Sequence, residues 1–86
     1  MSTIAELVMT MRCYMAEKLE KNRWKTHWSA CRLQYLSMRL RQEHKELIGA
    51  IQRGAAPEEV WREAADVANF AAMIADNYAK ERKAAA

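Results

Sequence analysis

Glycine and proline, the residues that most often interrupt helices, are almost absent from this sequence. The 86 residues include two glycines and one proline, and Gly54 and Pro57 stand close together in the stretch RGAAPEE. Gly54 suits the end of a helix, and Pro57 suits the first turn of the next one. Glu58 and Glu59 follow where the helix dipole favours negative charge. The sequence therefore predicts two long helices joined by one short turn.

Apolar residues recur at helical spacing on both sides of this turn and again near the N-terminus. The helix before the turn is predicted from about Ser29, a candidate N-cap, to Arg53, and the helix after it reaches about Lys83. Thr3 followed by Glu6 is a capping box in front of an N-terminal helix. The stripes are Ile4, Leu7, Val8, Met11, Met15 and Leu19, then Leu33, Leu36, Leu40, Leu47, Ile48 and Ile51, and then Val60, Ala64, Val67, Ala71 and Ile74.

The composition, 51% hydrophobic and 29% charged, is that of a globular domain. We predict a single all-α domain over residues 1–86, a three-helix protomer with a long antiparallel helical hairpin and a frayed tail over residues 79–86. So short a chain builds a marginal core alone. Because apolar residues also lie outside the stripes, we expect a homo-oligomer, a dimer or tetramer with a four-helix-bundle-type core. These residues include Met9, Met38, Phe70 and Met73.

The net charge of +3 permits an anionic partner without requiring one. The N-terminus lacks a signal-peptide pattern, and the longest apolar stretch is too short to span a bilayer, so we expect a cytoplasmic protein with no membrane partner. Cys13 and Cys31 are too few for a disulfide framework. His27 and Cys31 are four residues apart, but Cys13 and His44 match no zinc-ligand spacing, which argues against zinc.

Two pairs of acidic residues face each other across the predicted hairpin. Glu43 and Glu46 are three residues apart, as are Glu63 and Asp66, so each pair shares one helix face. A hairpin folded about residues 54–55 places Glu46 level with Glu63 and Glu43 level with Asp66. Partly buried carboxylates repel one another unless a cation neutralises them, and oxygen ligands favour Mg²⁺ or Mn²⁺. The pattern predicts a metal site made of these four residues.

Surface ion pairs are the alternative interpretation of such spacing. Glu17 and Glu20 show the same spacing among Lys18, Lys21 and Arg23. These neighbours predict a solvated face, and no acidic pair lies opposite. One acidic pair is therefore weak evidence for metal, whereas two pairs in mirrored register are stronger evidence.

The motif EHKE, a spacer of sixteen residues and the motif EAAD together resemble the E-x-x-E…E-x-x-D pattern of the all-α NTP pyrophosphohydrolases, the MazG-like superfamily. The stretch KLEKNRWKTHW is similar to the segment before the acidic helix in short MazG-like proteins of phages and prophages. The resemblance covers about residues 15–78. It implies a hydrolase that uses Mg²⁺, with Mn²⁺ as the alternative, to cleave (d)NTP to (d)NMP and pyrophosphate in nucleotide-pool house-cleaning. It also implies a dimer or tetramer in which helices of two chains complete each site.

The resemblance implies roles for individual residues. Glu43, Glu46, Glu63 and Asp66 would hold the metal, and Glu46 and Glu43 would be catalytic, with Glu46 orienting the attacking water. Asn69, three residues past Asp66, would reach a phosphate or sugar oxygen; a helix–helix hydrogen bond is its alternative role.

The joining segment supplies the remaining candidates for substrate binding. Trp24 and Trp28 offer flat surfaces on which a base can stack, Lys25 offers a charge for a phosphate, and His27 offers a hydrogen bond to either. The alternative role for each tryptophan is a core anchor. Members of the family carry glycines where this chain has Thr26 and His27, so the preferred base stays open.

Two other functions stay open. The short turn before a helix permits a nucleic-acid-binding helical hairpin, but the helix begins PEEVWRE, and its acidic end would repel phosphates. The second alternative is a non-catalytic helical interaction protein.

Overall fold

The computed structural model describes residues 2–21 and 28–85, which fold into three α-helices and one short 3₁₀ helix. No strand occurs in these two ranges, so the predicted all-α fold is confirmed. None of the described helices has the length and apolar character needed to cross a membrane. The helices are α1, Ile4–Lys21; the 3₁₀ helix, Trp28–Ala30; α2, Leu33–Gln52; and α3, Pro57–Ala85.

The turn between α2 and α3 has the hydrogen bonds of a Schellman motif. The N–H of Gly54 donates to the carbonyl of Ile51 at 3.1 Å, and the N–H of Ala55 donates to the carbonyl of Ala50 at 3.0 Å. Gly54 adopts a φ of 68°, which costs glycine little because it has no Cβ. Pro57 begins α3 as predicted.

The predicted capping box of α1 is confirmed, whereas the predicted start of α2 differs from the structure. The N–H of Thr3 donates to Glu6 Oε1 at 3.0 Å, and the N–H of Glu6 donates to Thr3 Oγ1 at 3.1 Å. Ser29 is not the N-cap of α2: it lies in the 3₁₀ helix, and Arg32 precedes α2 without a side-chain cap. α3 extends through the exposed residues 79–85, in keeping with their helix-favouring Ala, Lys, Glu and Arg.

The long helix α3 is the centre of the fold, because α1 and α2 each pack against it and not against one another. The described core is small and centres on Leu36, Phe70 and Met73. Leu19 of α1 and Trp28 of the 3₁₀ helix pack against this cluster. Among the described residues, no helix covers one side of α1 or one side of α2.

Leu36→Ala should destabilise the protein by about 2–5 kcal/mol, since it leaves a cavity at a fully buried position. Leu36 is 0% exposed, whereas Ile51 on the same helix is 55% exposed. Ile51→Ala removes the same number of carbon atoms and should change stability by about 0.5 kcal/mol or less. Urea unfolding measures both. Equal losses in the two variants would contradict the position of the core.

Candidate metal site

Three of the four predicted metal ligands lie together between α2 and α3. Glu43 of α2 and Glu63 and Asp66 of α3 each offer one carboxylate oxygen, and these oxygens lie within 4.8 Å of one another. The tight turn at Gly54 produces this register, since it folds the two helices back at the point that brings Glu43 opposite the α3 pair. An oxygen-only group of this size fits a hard divalent cation.

Glu46, the fourth predicted ligand, is exposed and lies outside this group of three oxygens. Its carboxylate is nevertheless close enough to help raise the pKa values of Glu43, Glu63 and Asp66. The structure therefore places Glu46 at the solvent-facing rim of the cluster, where a side chain meets both the buried carboxylates and water.

Glu43 is the most buried member of the cluster, with a side chain only 9% exposed. Its Oε1 accepts a hydrogen bond from Arg39 Nη2 at 3.1 Å, but its Oε2 is buried and has no hydrogen-bond partner. Glu63 Oε2 is buried and unpartnered as well. Leaving a buried carboxylate oxygen unpaired costs at least about 1–3 kcal/mol, and coordination to a cation would remove that cost.

Burial is the main cause of the raised carboxylate pKa values. The pKa of Glu43 rises from 4.5 to about 7, first through burial and then through the neighbouring carboxyls of Glu46 and Asp66. Burial also raises the pKa of Glu63, with repulsion from Glu46 and Asp66 adding to it. Burial raises the pKa of Asp66 too, although Lys18 opposes the shift. Without a metal, the folded protein therefore retains a proton between the ordinary carboxyl pKa of 4.5 and the raised Glu43 pKa of about 7. An ordinary carboxyl releases its proton in this range.

Two basic residues that the sequence did not assign to the site contact its carboxylates. Lys18 Nζ lies 3.1 Å from Asp66 Oδ2, and Arg39 Nη2 lies 3.1 Å from Glu43 Oε1. The prediction that Lys18 belongs to a solvated face is wrong, because α1 docks with this side chain towards α3 and leaves it 20% exposed. Arg39 was detectable from its i,i+4 spacing to Glu43. Nothing in the local sequence singles out Lys18.

Asn69 lies beside the cluster and is 4% exposed. Its Nδ2 donates to the main-chain carbonyl of Met15 on α1 at 3.1 Å, so the structure shows the helix–helix hydrogen bond that was its alternative role. Its Oδ1 is buried without a partner. Asn69 also borders the cleft at Lys18, Glu43 and Asp66, whose volume of about 50 Å³ suits an ion or one or two water molecules.

Trp28 is anchored to α3 by its side chain and its main chain. Its Nε1 donates to Asp76 Oδ2 at 2.9 Å, and Asn77 Nδ2 donates to its carbonyl at 2.8 Å. The indole also packs against the core cluster, as expected of a core anchor. The sequence did not identify Asp76 and Asn77 as hydrogen-bond partners of Trp28. The only signal in the sequence is that these two residues are polar in a stretch of α3 that is otherwise apolar.

The substrate-binding prediction extends into a part of the chain that the structure does not describe. Trp24, Lys25 and His27 lie outside residues 2–21 and 28–85. Trp28 borders a cleft of about 170 Å³ whose lining is mostly apolar. Ligand pockets usually measure about 300–1,000 Å³, so this cleft alone does not accommodate a nucleoside triphosphate.

No protein-family model matches the chain, and neither a curated protein nor a solved structure matches it significantly. The features of the chain that bear on function are therefore the geometry of this site and the motifs EHKE and EAAD.

The metal-free protein should lose stability as the pH rises from about 5.5 to about 8. The unfolded chain has released the Glu43 proton throughout this window, whereas the folded protein holds it until the pH approaches its raised pKa of about 7 and releases it above that pH. The expected loss is about 1–3 kcal/mol. Urea unfolding in the presence of a chelator measures it. Exposed Glu6 and Asp76, whose pKa values are lowered, are ionised throughout the window and add no slope.

Glu43→Gln is the control for this pH effect, because it removes the titrating group while keeping its shape. The variant should show a flatter dependence on pH and, at about pH 8, equal or greater stability than the metal-free wild type. Millimolar Mg²⁺ should restore wild-type stability at the higher pH, since it binds the deprotonated folded site. A wild type that is unaffected by pH and by Mg²⁺ would contradict the metal site.

Proposed function

We propose that this protein is a Mg²⁺-dependent nucleoside triphosphate pyrophosphohydrolase that cleaves (d)NTP to (d)NMP and pyrophosphate in cytoplasmic nucleotide-pool house-cleaning. The main support is the carboxylate cluster of buried Glu43 and partly buried Glu63 and Asp66, with Glu46 at its rim. These are the four positions at which the motifs resemble the MazG-like pattern. We also propose that the chain belongs to the MazG-like superfamily.

In this proposal, different residues of the chain bind the metal and activate the water. Glu43, Glu63 and Asp66 would hold the divalent cation, Mg²⁺ or Mn²⁺. When bound, such a cation neutralises phosphate charge and stabilises the charge that develops during displacement at phosphorus. Glu46 lies at the solvent-facing rim, where it would orient the attacking water and accept its proton. The water oxygen bonds to the α-phosphorus, the bond from that phosphorus to the bridging oxygen breaks, and pyrophosphate leaves.

Substrate recognition requires more surface than the described part of one protomer offers near the cluster. Lys25 and His27 are the proposed phosphate and hydrogen-bonding contacts, and Trp24 is the proposed stacking surface. Trp28 borders the apolar cleft and would contribute one edge of its ring, since its Nε1 is already bound to Asp76. Asn69 Oδ1, buried and unpartnered, is a further polar group on this side.

The outward face of α1 supports a homo-oligomer. No residue of α1 is buried, and Ile4, Leu7 and Val8 are 83%, 54% and 58% exposed. Leu7, Val8, Met11, Met15 and Leu19 line a continuous groove along the helix. An apolar stripe of this kind is typical of a surface covered by another chain. We propose a dimer or tetramer in which such faces complete a four-helix-bundle-type core and enlarge the substrate site.

Purified protein with millimolar Mg²⁺ should release pyrophosphate from at least one member of a panel of NTPs and dNTPs. Glu63→Gln should lower the rate roughly 100-fold or more by removing a ligand charge at the reacting centre. Glu58→Gln, the same change at an exposed position in the first turn of α3, should leave the rate within about twofold. No release from any nucleotide with Mg²⁺ or Mn²⁺ would overturn the enzymatic proposal and favour a non-catalytic interaction protein.

Sedimentation velocity at micromolar concentration should show a species larger than a monomer. Leu7→Glu places a charge in the exposed apolar stripe of α1 and should weaken assembly by about tenfold or more, because a charge in an apolar interface is left unpaired. Glu20→Lys changes the charge of an exposed α1 residue outside the groove and should leave assembly intact. A wild-type protein that remains monomeric would disprove the oligomer.

A further inference from the structure

Two basic side chains of the same chain lie among the carboxylates of the acidic cluster. Lys18 pairs with Asp66 Oδ2, and Arg39 pairs with Glu43 Oε1. Each basic side chain thus binds one oxygen of a carboxylate and leaves the other oxygen to a different partner. Glu43, whose side chain is more than nine-tenths buried, borders the cleft and has an unpartnered Oε2. This oxygen points to a cationic ligand in addition to Arg39.

The net charge of the cluster determines how many additional cations it can bind. With Glu46 included, the four carboxylates carry four negative charges when ionised, and Lys18 and Arg39 cancel two of them. The remaining two equal the charge of one divalent cation. A cleft of about 50 Å³ borders Lys18, Arg39, Glu43 and Asp66, which is room enough for an ion. The charge balance of the cluster therefore favours a single divalent ion.

We infer that Lys18 is a built-in counter-ion of the proposed metal site: it fixes one oxygen of Asp66 and limits each protomer to one divalent cation when no substrate is bound. The inference rests on the proposed metal site. Carboxylate ligands are commonly oriented by a hydrogen bond to their second oxygen. Lys18 provides that bond and adds a positive charge that disfavours a second metal.

The docking of α1 holds Lys18 in place. One turn before it, Tyr14 stacks on Trp61 of α3 with ring centroids 5.9 Å apart. In the next position, the carbonyl of Met15 accepts the hydrogen bond from Asn69. These two contacts fix the register of α1 on α3, and the largely buried pair of Lys18 and Asp66 is screened less by water than a surface ion pair would be.

A titration with Mn²⁺, followed by the electron paramagnetic resonance of the free ion, tests this inference. The full chain is used without nucleotide at about pH 8, above the raised pKa of Glu43, so that its carboxyl does not compete by holding a proton. The wild type should bind one Mn²⁺ per protomer. Lys18→Met should bind the first Mn²⁺ at least about threefold more tightly, because it removes a positive charge beside the ion.

The matched variants separate charge from shape. Lys18→Arg keeps the charge and should bind one Mn²⁺ with an affinity within about twofold of the wild type. Lys21→Met removes an exposed lysine one turn further along α1 and should behave like the wild type. Lys18→Gln retains a hydrogen-bond donor without the charge, and it replaces Lys18→Met if circular dichroism shows that the methionine variant has lost helix.

Two bound Mn²⁺ ions per wild-type protomer would overturn the inference. An affinity in the neutral Lys18 variants that is equal to or weaker than that of Lys21→Met would overturn it as well, since Lys18 would then serve only to dock α1. If no Mn²⁺ binds, the inference and the proposed metal site both fail. One bound Mn²⁺ with the expected Lys18 effect, but no pyrophosphate release, would support the inference and overturn only the proposed reaction.

Discussion

Burial of Glu43 between α2 and α3 is the interaction on which the rest of the site depends. A carboxyl removed from water must be protonated, hydrogen-bonded or neutralised by a cation. The structure combines these responses: burial raises the pKa of Glu43 to about 7, Arg39 binds one oxygen, and the other oxygen is left unpartnered. A neutral apolar side chain at this position would carry a smaller desolvation cost than the carboxyl of Glu43. The larger cost is explained if the unpartnered oxygen binds a ligand.

Arg39 connects this electrostatic arrangement to the hydrophobic core. Its guanidinium lies over the ring of Phe70, 5.2 Å from the centroid, while its Nη2 binds Glu43. Phe70 in turn belongs to the core cluster with Leu36 and Met73. Packing of the core therefore restricts the position of Arg39, and Arg39 restricts Glu43. A carboxylate held in this way needs little reorganisation when it binds a cation, which is the usual advantage of a preorganised site.

The first helix has a different relation to the fold. It contributes no buried residue, so its attachment to α3 depends on partly exposed contacts such as the Tyr14–Trp61 stack, the Glu17–Arg62 ion pair at 3.3 Å and the Lys18–Asp66 pair. Exposed ion pairs contribute little stability. A second chain on its apolar side would add the burial that α1 lacks within the protomer, and would secure Lys18 beside the acidic cluster.

The three helices, the turn between Gly54 and Pro57, the capping box and the facing of Glu43 towards the α3 carboxylates followed from the sequence alone. All of these depend on short-range rules: glycine and proline preferences at helix ends, and the 3.6-residue period that places residues three apart on one face. The wrong start of α2 at Ser29 shows their limit, because a 3₁₀ helix anchored by Asn77 takes the place of the expected cap. Tertiary structure alone decided that Lys18 meets Asp66, that Trp28 is bound to Asp76, and that Glu46 stays at the rim. Helical period determines which residues share a face within one element, whereas a contact between distant elements depends on how deeply and at what angle they pack.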